Sequence, residues 1–73
     1  MDRLHFMQLR PGQRISFTGS TQGRDDDVPL HEGIVNGEPT WYEREQFGYV
    51  PVHMARLNHN IAVEHGNVQE VLP

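Results

Sequence analysis

The chain has 73 residues and a mass of 8.4 kDa, which is enough for a single domain with one hydrophobic core. A domain of this size rarely encloses a deep ligand pocket, so an autonomous small-molecule enzyme is not expected. Ten acidic residues against six basic ones give a formal net charge of −4, and cysteine is absent. The fold therefore lacks both disulfides and thiolate metal ligands.

The charges and apolar residues also restrict the class of partner. All the cationic side chains are arginines, and they are scattered among acids instead of forming a basic stripe. Because nucleic-acid binding depends on neutralised phosphates, direct sequence-specific binding of DNA or RNA is not expected. No apolar run approaches the roughly 18 residues of a membrane helix, and the opening residues lack the apolar centre of a signal peptide. We expect a soluble, cytoplasmic monomer whose partner is a protein with a basic surface.

The first apolar residues predict a short strand. Leu4 and Phe6 are two positions apart, so they would share one face of a strand within residues 4–9. An Arg-Pro-Gly turn follows, and residues 13–18 alternate between polar and apolar side chains as in a half-buried strand.

An acidic segment follows these two predicted strands. Residues 19–30 contain few apolar side chains and are predicted to form a mobile, solvated loop. A calcium loop starting at Asp25 would need glycine at its sixth position and glutamate at its twelfth, and it has neither. We therefore predict that Asp25, Asp26 and Asp27 contact arginines or lysines of a partner.

The middle of the chain carries a hairpin signal. Asn36 and Gly37 both tolerate positive φ, and they separate two apolar segments, residues 32–35 and 38–42. This pattern predicts that the two segments pair with each other through a tight turn.

The second half predicts the remaining strands. Residues 47–54 alternate, but Pro51 interrupts them, so they form either an edge strand or a strand followed by a helical turn over 52–57. Two further short strands are predicted at residues 61–63 and 68–72, with a turn at residues 65–67 between them. We expect about five strands to form from these segments, typical of a mainly β, small curled antiparallel sheet or barrel with one short helical turn.

Two segments resemble parts of SH3-like barrels. Residues 9–15 resemble the turn and strand with which such barrels begin, and residues 47–54 resemble the strand, proline and short helical turn near their end. The paired tryptophans and the tyrosine motif of true SH3 domains are missing, so the resemblance implies the architecture and not a groove for proline-rich peptides.

Metal binding and catalysis find little support in the residue pattern. No pair of the five histidines has the close spacing usual for structural zinc, so we expect the histidines to lie at the surface and not to bind a metal. There is no cysteine nucleophile, serine elbow, phosphate-binding glycine loop or zinc-protease motif. We expect neither an enzyme nor a cofactor, although an oligomeric enzyme with a site at a symmetry axis stays possible.

The aromatic residues offer the best candidate contact cluster, because tryptophan, tyrosine and arginine dominate binding energy in protein interfaces. Trp41 is assigned to the core, whereas Tyr42 and Tyr49 fit either the core or an interface. The apolar first strand is also a candidate, because it could pair with a strand of a partner. The predicted partner-binding residues are Leu4, Phe6, Met7, Asp25, Asp26, Asp27, Tyr42, Arg44 and Tyr49.

The chain as a whole resembles a family of small phage proteins. Its length, its acidic lysine-free composition and its first nine residues, MDRLHFMQL, are similar to bacteriophage regulators of host RNA polymerase, of the inhibitor and antiterminator type known from Xanthomonas phage. The resemblance implies binding near the amino terminus of the β′ subunit, interference with promoter recognition by sigma, and read-through of terminators. The alternative hypothesis is an SH3-like structural or assembly module that binds another protein.

Overall fold

The protein is mainly β, as the sequence predicts. The computed structural model describes residues 1–19 and 30–73, so Asp25, Asp26 and Asp27 lie outside the described residues. The described strands form one antiparallel sheet that curls into a half-barrel. In chain order the elements are α1 (Arg3–Phe6), β1 (Arg14–Phe17), β2 (His31–Val35), β3 (Thr40–Tyr42), β4 (Phe47–Met54), β5 (His59–Glu64), the 3-10 helix η1 (His65–Asn67) and β6 (Val68–Leu72).

Strand β4 organises the sheet because it pairs along both of its edges. One edge carries β5, and the other is shared by β3 and β2. Tyr49 of β4 therefore has Thr40 of β3 on one side and Glu64 of β5 on the other. The sheet continues from β2 to β1 and then to β6.

The hairpin predicted at Asn36-Gly37 is wrong, because β2 and β3 do not pair with each other. Both run antiparallel to the same edge of β4, with Val35 opposite Val52 and Thr40 opposite Tyr49. Residues 36–39 thus lie opposite only residues 50–51, and the chain bulges there. Asn-Gly forms the bend between β2 and β3, which share one edge of β4. Local turn preference alone does not distinguish such a bend from the turn of a hairpin.

The bulge also explains how Pro51 fits inside a central strand. The carbonyl of Pro51 accepts a hydrogen bond from the Asn36 N–H at 2.8 Å, so its nitrogen faces the same edge of β4. Near Pro51 the strand paired with this edge of β4 changes from β3 to β2, so the ladder does not require an N–H donor at position 51. Both alternatives predicted for this segment are wrong. β4 is not an edge strand, because it pairs along both edges. It is not followed by a helical turn over residues 52–57 either, because β4 extends to Met54 and a turn at residues 55–58 leads to β5.

The predicted first strand is also wrong, because Arg3–Phe6 forms the short helix α1. The carboxylate of Asp2 caps it by accepting the His5 N–H at 2.9 Å. In a helix, residues two apart point in different directions, so Leu4 is 68% exposed while Phe6 is fully buried. The segment therefore has no free strand edge with which to pair a partner's strand.

The core lies inside the curl of the sheet. Along β4, alternate residues beginning at Gly48 are buried, as expected from the two-residue period of a strand. The α1 helix and the turn after it close one end with two apolar side chains. The buried apolar residues are Phe6, Leu9, Ile15, Phe17, Val35, Val50, Val52, Met54, Val63 and Val68.

Candidate functional site

The outer face of the β3–β4 hairpin carries three neighbouring aromatic rings, which we call the aromatic strip: Tyr42, Phe47 and Tyr49. The ring of Tyr42 stacks on the rings of Phe47 and Tyr49. The ring centroids are 6.2 Å and 6.0 Å apart, and the interplanar angles are 21° and 26°. Tyr42 lies opposite Phe47 in the ladder, so the strip follows from strand register. Tyr42 is 44% exposed and the other two are half-buried, so the rings are accessible to a partner.

The hydroxyl groups of the strip interact with each other. Interaction with the Tyr49 hydroxyl is the main cause that raises the pKa of Tyr42 above its ordinary value of 10.0, and the charge of Glu45 adds to the rise. Both tyrosines thus combine apolar ring surface with a polar tip, the combination that is enriched at protein interfaces.

The inner face of the same hairpin is packed. Trp41 lies opposite Gly48, and a Cβ added at Gly48 would come within 2.5 Å of the indole and 2.8 Å of the Phe6 ring. Only glycine allows the indole to lie this close to the strand. Trp41 packs against the core, so its assignment to the core is confirmed.

His65 of η1 completes this inner packing. The centroid of its ring lies 4.8 Å from the centroid of the Trp41 ring and 5.9 Å from that of the Phe6 ring, and the contact is edge-on in both cases. Its Nδ1 accepts the Gly48 N–H at 3.3 Å, which places the proton of the neutral ring on Nε2. No sequence pattern marks His65 as a packing residue, since a histidine beside glycine in a predicted turn gives no signal of packing.

Helix α1 is attached to this hairpin through Arg3. The Arg3 guanidinium lies 5.7 Å from the centre of the Trp41 ring and 3.2 Å from a carboxylate oxygen of Glu43. Both side chains of this ion pair are more than half exposed, so the pair orients the helix more than it stabilises the fold. It brings Leu4 and Met7, which we call the N-terminal patch, onto an element that contacts the hairpin.

The predicted contact residues thus fall into three groups. Tyr42 and Tyr49 are brought together in the strip, and Arg44 is exposed in the turn that joins β3 to β4. Leu4 and Met7 are exposed on the N-terminal patch. Phe6 is fully buried, so it supports the surface from inside and offers no exposed side chain.

Other parts of the surface offer less to a ligand. An open cleft of about 480 Å³ separates α1 from β6, with Asp2 and His5 on one side and Glu70 and Val71 on the other. Within residues 1–19 and 30–73, no three His, Asp or Glu side chains come together as a metal site would require. No helix in these same ranges is long and apolar enough to span a membrane.

Comparison of the chain with protein-family models, with curated proteins and with solved structures finds no match. What the protein binds must therefore be inferred from its own surface. We take the aromatic strip as the candidate contact surface, because its rings are stacked, accessible and fixed by strand pairing.

Proposed function

We propose that the chain is a non-enzymatic phage regulator that binds the RNA polymerase of its bacterial host, inhibits initiation and promotes antitermination. The observation that carries the proposal is the aromatic strip, since accessible tyrosines held in register on a hairpin are suited to a protein interface. The net charge of −4 suits a basic partner surface. The resemblance of the chain to phage regulators in length, lysine-free composition and first nine residues implies RNA polymerase as this partner, at the amino-terminal region of β′.

The contact surface in this proposal includes the strip and its neighbours. Tyr42 and Tyr49 provide ring surface, and Arg44 provides a bidentate donor at the tip of the hairpin. Leu4 and Met7 would form a second contact patch at α1, which Arg3 links to the inner face of the hairpin. The protein would act as a monomer in the host cytoplasm and without a cofactor.

The test compares the wild type with two variants on purified Xanthomonas RNA polymerase, using co-elution in gel filtration and run-off transcription. We expect the wild type to co-elute and to lower promoter-dependent initiation. The double variant Tyr42→Ser, Tyr49→Ser should lose both effects while keeping its fold. Val71→Ser, a change at an exposed apolar residue of β6, should behave as the wild type.

Absence of co-elution of the wild type at near-physiological salt would contradict the proposal.

The acidic segment has its own test. Replacing Asp25, Asp26 and Asp27 with asparagine should weaken co-elution at low salt, because salt screens charges least there. Unchanged affinity there would remove these aspartates from the contact surface.

The second candidate is an SH3-like structural or assembly module, which the half-barrel sheet favours. It would use the same strip for a different protein partner. A wild type that folds, leaves transcription unchanged and co-purifies with another phage-encoded protein would favour this candidate over the regulator.

A further inference from the structure

Two carboxylates flank the aromatic strip. Glu64 of β5 is the cross-strand neighbour of Tyr49, and Glu45 lies in the turn between β3 and β4. Glu45 is close enough to the strip for its charge to act on the Tyr42 hydroxyl. Both side chains are exposed, and among the described residues no cationic group lies within ion-pair distance of either. The strip therefore combines π faces with negative charge that no described cation neutralises.

The other face of the hairpin shows a similar combination with its cation in place. There the Arg3 guanidinium lies over the Trp41 ring and also reaches the Glu43 carboxylate at 3.2 Å. Within residues 1–19 and 30–73 this is the cation–π contact that the fold makes, and Arg44 does not stack on the strip. The outer face thus has the ring and the carboxylate of the inner arrangement but lacks its arginine.

We infer that the aromatic strip, with Glu64 and Glu45 beside it, is a binding site for an arginine side chain of a protein partner. A planar guanidinium stacks on an aromatic face and donates paired hydrogen bonds to a carboxylate, whereas a lysine ammonium offers a compact, strongly hydrated charge. The inference depends on the proposed function only in that the partner is a protein with a basic surface.

The experiment titrates the ¹⁵N-labelled full chain with three blocked tripeptides, acetyl-Gly-X-Gly-amide, in which X is arginine, lysine or citrulline. Citrulline has nearly the shape of arginine but no charge. We expect the arginine peptide to shift the amide signals of Tyr42, Phe47, Tyr49 and Glu64. The lysine peptide should bind about twofold to fivefold more weakly, and the citrulline peptide should cause no shifts at these amides.

Variants locate the carboxylate contribution. Glu64→Gln should weaken the arginine peptide by about twofold to fivefold, as expected for loss of an exposed charge pair, and should reduce the salt dependence of binding. Glu70→Gln, a matched change on the exposed part of β6, should leave the affinity unchanged. Both variants replace exposed side chains, so their amide spectra should report an intact fold.

The inference would be overturned if the arginine peptide bound no more tightly than the citrulline peptide or the lysine peptide. It would also be overturned if the amide shifts were centred on the cleft between α1 and β6, or if the arginine peptide caused no shifts. Shifts in the strip that depend on protein concentration without peptide would assign it to a second copy of the chain and would also overturn it. If the peptides fail while polymerase still co-elutes, the regulator stands without the arginine site. If the arginine peptide binds while polymerase does not, the regulator fails and the site stands.

Discussion

The two faces of the β3–β4 hairpin are built from adjacent residues yet have different surroundings. Trp41 points inward, where Phe6 and His65 enclose its ring and Gly48 leaves room for it. Tyr42, the next residue, points outward and is 44% exposed. The inner face is sealed by contacts within the chain, whereas the outer face presents stacked rings that still have room for a partner.

We propose that the direction of a side chain, and not its aromatic character, separates packing from contact in this hairpin. Substitutions on the inner face should lower the free energy of unfolding, and substitutions on the outer face should lower the affinity for a partner.

The largest contrast is expected within the short helix α1. Phe6→Ala should lower the free energy of unfolding by about 3–5 kcal/mol, because it removes a fully buried ring and leaves a cavity. Leu4→Ala should change it by less than about 0.5 kcal/mol, because Leu4 is 68% exposed. Urea unfolding followed by circular dichroism measures both, and effects of equal size would contradict the helical assignment of this segment.

A smaller effect on stability is expected at the floor of the Trp41 pocket. Gly48→Ala should cost about 1–3 kcal/mol, because the added methyl would overlap the Trp41 and Phe6 rings. Gly66→Ala is the matched control, since a Cβ at Gly66 would meet no atom within 4 Å. If the two variants unfold at the same urea concentration, the close packing of Trp41 on β4 is incorrect.

The sequence predicts the class of the fold and the alternation of β4, because a two-residue period is a local property. It also predicts a short turn at residues 65–67, where the 3-10 helix η1 forms. It does not predict that β2 and β3 share one edge of β4, because the bend at Asn36-Gly37 looks locally like a hairpin. The long-range pairing with β4 overrides that local preference.

The same limit applies to the candidate site. Tyr42 and Tyr49 could be selected from residue type, but only the register of β3 against β4 stacks them on one face. The helix at the N-terminus had a local signal in Asp2, a good N-cap residue, which the apolar spacing of Leu4 and Phe6 obscured. His65 had no such signal, since its partners come from distant parts of the chain.

The outer face can be tested through the titration of Tyr42. In Tyr49→Phe, the pKa of Tyr42 should fall toward its ordinary value of 10.0, because the hydroxyl that chiefly raises it is lost. A raised pKa in the folded state stabilises the fold below pH 10.0, and this contribution is lost as the pH rises through the folded value. The ¹³Cζ signal of Tyr42 reports its titration, and an unchanged midpoint in the variant would contradict the pairing of the two hydroxyls.

The smallest effect is expected at the cap of α1. Hydrogen bonds from His5 hold the pKa of the Asp2 carboxylate below its ordinary value of 3.8, the bond from the backbone N–H having the larger effect and the bond from the side chain the smaller. The ionised carboxylate therefore stabilises the fold above pH 3.8. This contribution is lost as the pH falls through the lowered value. Asp2→Asn keeps a cap but cannot titrate, so its unfolding should lose this acid dependence. Identical pH profiles of the wild type and the variant would show that the cap does not form.

The division between the two faces is tested most directly by hydrogen–deuterium exchange of the wild type, free and bound to RNA polymerase, followed by mass spectrometry. We expect binding to slow exchange in residues 40–49 and to leave β6 (Val68–Leu72) unchanged. Protection confined to β6 and the cleft beside it, with residues 40–49 unaffected, would contradict the assignment of the outer face as the contact surface.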